Sequence, residues 1–341
     1  MRALENLALG YADGHHIILG NRDTIQFISE LEQLDKRPKS LYKKIYSSLT
    51  EYGNFLNAVE VYLKITNGPQ LLRTGKCIET PLIYFSSTRT IQPTNILCEH
   101  IHDIEFFKKI TNCYVKKTGF KIQLQYTPQM GGGSAMGGVY ASIQSDNKIC
   151  LAIADSDRYH QNDFMKDTPS TLLRENDPLK PLSNIYILPV REIENLLTAT
   201  MISNMIEKNH QYCNLTSRLL PLSKMEKNGL YNEIKYIDFK EGMTYKNYLE
   251  NLQSHGVDLL SCCAPIKVSC NSEGTCQDTH DCNCILFEGL GSNIINLMTE
   301  YIEKLSCIDL KNMVHDDMQI IWNEIALKVM SWCCGSRISR T

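Results

Sequence analysis

The sequence predicts an α/β fold built on a parallel sheet, and three observations predict it. Leu151-Ala152-Ile153-Ala154 is a short apolar run, the pattern of a strand covered on both faces. Asn95-Ile96-Leu97-Cys98 and Asn184-Ile185-Tyr186-Ile187-Leu188-Pro189 read as two further short strands. Between these runs lie segments of helical periodicity, so strands and helices alternate from Pro93 to about residue 200.

In chain order, residues 1–92 form an N-terminal mixed α+β lead-in. Residues 21–63 carry interleaved charged and apolar positions and read as mainly helical. Glu60–Ile65 and Pro81–Phe85 read as strands around the turn Asn67-Gly68-Pro69, and no chemistry is evident there. The core, residues 93–200, opens with the strand at Asn95–Cys98, followed by Glu99. A helix then runs from about His102 to Thr111 with Ile104, Phe107 and Ile110 on one face. Phe120–Tyr126 alternates as a strand does, and the glycine-rich stretch Met130–Gly138 follows it as a loop. After the run ending at Ala154 comes a polar loop, His160 to Pro181, then the third strand and Arg191-Glu192-Ile193-Glu194-Asn195. Residues 201–341 form a mainly helical region, clearest at Met201–Lys208, Tyr245–Gln253, Ser292–Lys304 and Met318–Trp332. A Cys-rich insertion at 262–284 interrupts it.

Of the 341 residues, 43% are hydrophobic and 21% charged, which is ordinary globular composition. The formal net charge of −3 leaves no global basic field, so any nucleic-acid binding must use local patches. The N-terminus has no signal-peptide pattern and no apolar run reaches membrane-spanning length, so a soluble cytoplasmic protein is expected.

The chemistry is expected at the strand ends. Asp155 and Asp157 terminate an apolar run, and an unpaired carboxylate is poor core material. Ligands of open α/β sheets sit beyond the carboxyl ends of the strands, and carboxylates are hard-oxygen ligands for Mg²⁺ or Mn²⁺. Glu99 follows another strand in the same way. Asp103, four residues on, is either a ligand or a first-turn acid complementing the helix dipole. Glu192 and Glu194 follow the third strand; being two apart, they point to different sides if the backbone is still extended. Of the two, Glu194 is preferred. Carboxylates after three separate strands suit a one- or two-metal phosphodiester site.

These residues resemble the Toprim domain shared by topoisomerases, primases and overcoming-lysogenization-defect (OLD) nucleases. The carrying pattern is Ile96-Leu97-Cys98-Glu99, then Gly131-Gly132-Gly133, then Ile153-Ala154-Asp155-Ser156-Asp157. OLD-type enzymes also place an Asp four residues after the Glu, matching Asp103, and a later acid near Glu192 or Glu194. Two departures stand out. His100 replaces the usual Gly after the motif Glu, and the downstream Lys of OLD-type enzymes has no clear counterpart, Lys311 being one candidate. Glu192–Leu197 and Ser331-Trp332-Cys333-Cys334 look similar to the nuclease effector subunit of PARIS-type anti-phage defence.

The resemblance implies a Toprim, Rossmann-like core and a Mg²⁺-dependent endonuclease. In it Glu99 would act as base or ligand, Asp155 and Asp157 would hold the principal metal, and Asp103 and Glu194 would support a second. It further implies a nucleic-acid substrate, with tRNA among those of the family, a toxic effector role, and restraint by an ABC-type ATPase partner. A homodimer is a further expected assembly. The alternative is a non-catalytic Toprim-like module that binds an ATPase or nucleic acid.

Fourteen cysteines is a high count, and without a secretory signal a disulfide framework is not expected. Cys270, Cys276, Cys282 and Cys284 could supply a tetrahedral structural Zn²⁺, although the spacing lacks the usual C-x₂-C pairs. The other reading is an insertion loop with reduced thiols. Met130–Gly138 is either a phosphate cradle or a turn passing close to the metal site. His100 and His102 flank the acidic site and could meet substrate.

Overall fold

The computed structural model describes residues 1–251, 253, 256, 259–260, 282 and 284–338. They form two compact units. One comprises 1–153, 171–186 and 323–341, the other 154–170 and 187–322.

The first unit opens with helices Arg2–Ala12, Arg22–Glu30 and Lys36–Ser48, which bury Ala8, Tyr11, Leu41, Tyr42 and Ile45 in a common core. A small sheet follows, of β1 (Tyr62–Thr66), β2 (Leu72–Thr74) and β3 (Cys77–Pro81), in the order β1-β3-β2. The predicted strand at Pro81–Phe85 is a 3₁₀ turn instead, Leu82–Ser86. Its apolar residues do not alternate as a strand requires: Ile83 is exposed and Phe85 buried.

The main sheet contains β4 (Thr94–Cys98), a short β5 (Gln123–Leu124) outside it, then β6 (Tyr126–Met130), β7 (Cys150–Ala154) and β8 (Ser183–Ile187). The sheet order is β6-β4-β7-β8, all parallel, as the sequence predicts for the class. Every residue of β4 and β7 is buried, which explains their unbroken apolar character as central strands. β4 and β7 pair with Leu97 opposite Ala152.

The helix after β4 runs Ile101–Thr118, longer than predicted, and buries Ile104, Phe107 and Ile110 with Phe106 and Val115. It ends at Gly119 in the left-handed conformation, preceded by Lys116 and Lys117 at the negative end of the helix dipole. Two predicted boundaries shift. The segment read as one strand at Phe120–Tyr126 holds the short β5, Gln123–Leu124, and the start of β6, Tyr126–Met130, and the glycine-rich stretch does not stay a loop. Met136–Ser145 is a helix with Gly137 and Gly138 in its first turn.

The second unit is mainly helical. Ala199–Lys208, Leu215–Lys227 and Ile294–Glu303 are its longest complete helices, and β9 (Gly242–Thr244) and β10 (Ile285–Glu288) form an antiparallel pair. Cys282 and Cys284 are buried beside that pair, where their carbonyls accept from the N–H groups of Lys246 and Tyr245. Cys270 and Cys276 lie outside the described residues. Cys113 and Cys307 are each disulfide-bonded, which departs from the expectation of a chain without disulfides. Among the described residues no helix is long and apolar enough to cross a membrane.

Candidate active site

In the second unit the Asp155-Ser156-Asp157 tip is fastened to the segment that follows β8. Ser156 and Asp157 both donate their N–H groups to the Arg191 carbonyl, at 3.0 and 2.9 Å. Ser156 Oγ donates to the Val190 carbonyl at 2.7 Å, and Asp155 Oδ1 accepts from the Ile193 N–H at 3.0 Å. The turn requires a left-handed residue at Asp157, with φ +54°, a region Asp tolerates better than branched side chains do.

The same segment adds three charges. Arg191 is buried; its guanidinium lies 3.3 Å from Glu192 Oε1 and 3.0 Å from Asp238 Oδ2. Lys240 Nζ lies 3.6 Å from Glu192 Oε2 and 3.4 Å from Glu194 Oε2. Both glutamates therefore face one cation, which corrects the expectation that they point to different sides. The extended backbone ends at Glu192, and the 3₁₀ turn Ile193–Leu196 swings Glu194 round to the same ammonium.

Glu192, Glu194 and Asp238 thus pair with two cations, Arg191 and Lys240, and the carboxylates of Asp155 and Asp157 lie within their electrostatic reach. Burial pushes the Glu192 carboxyl above its ordinary value, against the opposing pull of Lys240 and Arg191. Asp157 is raised by burial too, opposed by Arg191, Lys166 and Lys240. For Lys240, burial works against the ammonium, but Glu194, Glu192 and Asp155 outweigh it and hold its pKa above the usual lysine value. Negative charge therefore exceeds positive charge in a partly dehydrated place.

Lys240 and Asp238 were not visible as site residues in the sequence. They come from a loop more than forty residues beyond Glu192, and buried side chains hold it. Asn195 Nδ2 donates to the carbonyls of Ile234 and Ile237 at 2.8 and 2.7 Å, and Arg191 N donates to the Lys235 carbonyl at 2.7 Å. Gly289 closes the other side, because a Cβ there would lie 2.1 Å from the Lys240 carbonyl. The available signal was a buried Asn one residue after the motif acid. Lys311, in contrast, is exposed in the last turn of helix Cys307–Asn312.

In the first unit Glu99 follows β4 directly and is half-buried. The glycine loop lies against it. Gly131 N donates to the Cys98 carbonyl at 2.7 Å and Gly132 N to the Glu99 carbonyl at 3.2 Å. Gly132 and Gly133 are left-handed, and a Cβ on Gly133 would come within 3.2 Å of Glu99 Oε1. Of the two readings of this stretch, the geometry fits the turn that passes close to the acid. Gly133→Ala should therefore destabilise the protein by about 1–2 kcal/mol, the cost of a left-handed Ala, in a denaturant melt. Gly138→Ala has open space around its Cβ and sits in a helix; it should be neutral or stabilise by about 0.5–1 kcal/mol. Equal losses for the two variants would remove this account of the loop. Asp103 Oδ2 accepts from the His100 N–H at 2.9 Å, so one carboxylate oxygen caps the helix that starts there. His100 and His102 are exposed.

Among the described residues no three His, Cys, Asp or Glu side chains are gathered into a ready metal-holding group. The donor set of the second unit nevertheless fits a hard divalent cation in kind. It consists of carboxylate oxygens, and Glu194 is only 1% exposed. Asp155, Asp157, Glu192 and Glu194 are the side chains that would hold such an ion. Comparison of the chain with protein-family models, with curated proteins and with solved structures returned no match.

Proposed function

We propose that this chain is a metal-dependent phosphodiester hydrolase of the Toprim type, acting on nucleic acid. One observation carries the reading. A dense carboxylate cluster with a lysine at its centre follows β7 and β8 of a parallel sheet, where an α/β fold places ligands. A Mg²⁺ or Mn²⁺ held there would polarise the scissile phosphate and lower the pKa of attacking water. Asp155 and Asp157 would supply its principal ligands, with Glu194 and Glu192 as further ligands or hydrogen-bond partners. Lys240 offers a positive charge to a non-bridging phosphate oxygen or to the leaving oxygen. On the Toprim resemblance alone, Glu99 of the first unit is the proposed base or ligand; Asp103 would support it through the turn at His100.

The effector role, restraint by an ABC-type ATPase and a tRNA substrate rest on the resemblance to PARIS-type nucleases. The decisive experiment is sequencing of RNA and DNA ends after induced expression, with Glu99→Ala as control. Ends that accumulate with the wild type and vanish with the variant support hydrolysis; identical end profiles would remove it.

A second reading has its own support. Lys240 already sits between Glu192 and Glu194, as it would in a purely structural ion cluster of a non-catalytic module. Thermal melts with millimolar Mg²⁺ or Mn²⁺ separate the two. Glu192 and Asp157 have pKa values raised by burial, so the stability they contribute is full below their ordinary values and is lost as pH rises through the raised ones. A divalent cation binds the ionised cluster and restores that loss. Saturation at ten times Kd contributes about 1.4 kcal/mol, a rise of about 2–4 °C. The rise is expected near pH 8 and should shrink near pH 5. No shift at either pH favours the structural cluster.

A further inference from the structure

The loop that follows Asp157 carries a feature the carboxylate cluster does not use. It reads Arg158-Tyr159-His160-Gln161-Asn162-Asp163-Phe164-Met165-Lys166, with cations and rings interleaved. Phe164 is 96% exposed, the most exposed large apolar side chain among the described residues. It is not on a frayed end. Asp163 Oδ2 accepts from the Tyr159 N–H at 3.0 Å, and Asp163 N donates to the His160 carbonyl at 3.0 Å, so the turn before Phe164 is closed on itself.

Tyr159 and Tyr236 are partly buried rings beside cations. Lys166 Nζ lies 4.0 Å from the Tyr159 ring centroid and the Arg191 guanidinium 4.1 Å from it. His160 and Tyr236 lie 6.3 Å apart, tilted at 45°. Lys235 and Arg158 add positive charge at this margin, Arg158 close enough to act on the Tyr236 hydroxyl. The carboxylate cluster itself repels a phosphate chain. A polyanion must therefore be held by groups just outside it, and these are such groups.

We infer that Phe164, with the cations Arg158 and Lys166 of the same loop, forms a stacking lip that takes an unpaired nucleic-acid strand and not a duplex. This rests on the phosphodiesterase reading above and names the substrate form of that same site. The argument is geometric. An exposed ring recognises the flat face of a base, which a duplex hides in its own stack, while cations beside it follow the backbone. Rings are indifferent to the 2′-hydroxyl, so unpaired RNA and unpaired DNA share this chemistry.

The test is fluorescence anisotropy in EDTA, which prevents cleavage. It uses labelled unpaired RNA, unpaired DNA and duplex DNA of one sequence. The wild type should bind both unpaired strands about tenfold more tightly than the duplex. Phe164→Ala should lose about tenfold on the unpaired strands, within the range of one base–ring stack, and less than twofold on the duplex. Phe164→Trp should keep the affinity and Phe164→Leu should not. Lys166→Ala should lower the salt dependence on unpaired strands by about one phosphate contact. Phe164 is exposed, so its variants do not threaten the fold.

Wild-type affinities from Phe164→Ala, or equal losses on duplex and unpaired strands, overturn the inference and leave hydrolysis standing. Loss on unpaired RNA alone would also overturn it, in favour of a readout of the sugar. Phe164-dependent binding without Mg²⁺-dependent cleavage of any of the three would support the lip and retire hydrolysis.

Discussion

Asp155→Asn is expected to abolish Mg²⁺-dependent cleavage of nucleic acid while leaving the protein folded. The substitution keeps an oxygen that can accept from the Ile193 N–H, the bond that fastens the end of β7 to the start of the 3₁₀ turn. It removes the negative charge. If a metal supplies several kcal/mol of transition-state stabilisation, losing a principal ligand costs about three orders of magnitude in rate, at 1.36 kcal/mol per tenfold. Asp155→Ala removes the charge and the acceptor together and should be both inactive and less stable. The order of melting temperatures, wild type close to Asn and both above Ala, separates the structural role from the chemical one. Glu99→Ala should be as inactive as Asp155→Asn if the Toprim resemblance assigns both acids to the reaction correctly. Cleavage within tenfold of wild type by Asp155→Asn would take Asp155 out of the reaction.

How much of this was legible in the sequence depended on how local each signal was. β4 and β7 were readable because a central parallel strand must be apolar on both faces, and five residues suffice to show it. The acids that end those strands were readable for the same reason, since they break an apolar run. The helical start at Met136 was hidden because Gly137 and Gly138 look like loop residues, and tertiary packing overrides their low propensity. The facing of Glu192 and Glu194 was hidden because one 3₁₀ turn decides it, and two residues carry no periodicity. Lys240 was hidden most completely. Its position depends on Asn195 bonding two carbonyls forty residues away and on a bare glycine backbone at Gly289. No spacing rule in the chain expresses either contact.

Lys240→Met is expected to damage both stability and activity. Met keeps the length of the side chain and removes its charge, leaving Glu192 and Glu194 without the ammonium at 3.6 and 3.4 Å. Removing one partner of a buried ion pair typically costs about 3–5 kcal/mol. The Lys240 side chain is 29% exposed, so water takes part of that loss, and about 2–3 kcal/mol is expected in a denaturant titration. The pH dependence has a definite sign. The raised pKa of Lys240 means its contribution is present throughout the neutral range and is lost only as pH rises through the raised lysine value. Without it, only Arg191 offsets Glu192, whose carboxyl burial already pushes up. The variant should therefore be closest to wild type in acid, where Glu192 holds its proton, and fall behind as pH rises past the ordinary carboxylate range. Glu194→Gln in the same chain should recover part of the loss, because it removes a charge from the uncompensated cluster. Millimolar Mg²⁺ should stabilise Lys240→Met more than it stabilises the wild type if ammonium and metal answer the same excess of negative charge. An equal response in both proteins would place the metal elsewhere and leave Lys240 as a structural counter-ion.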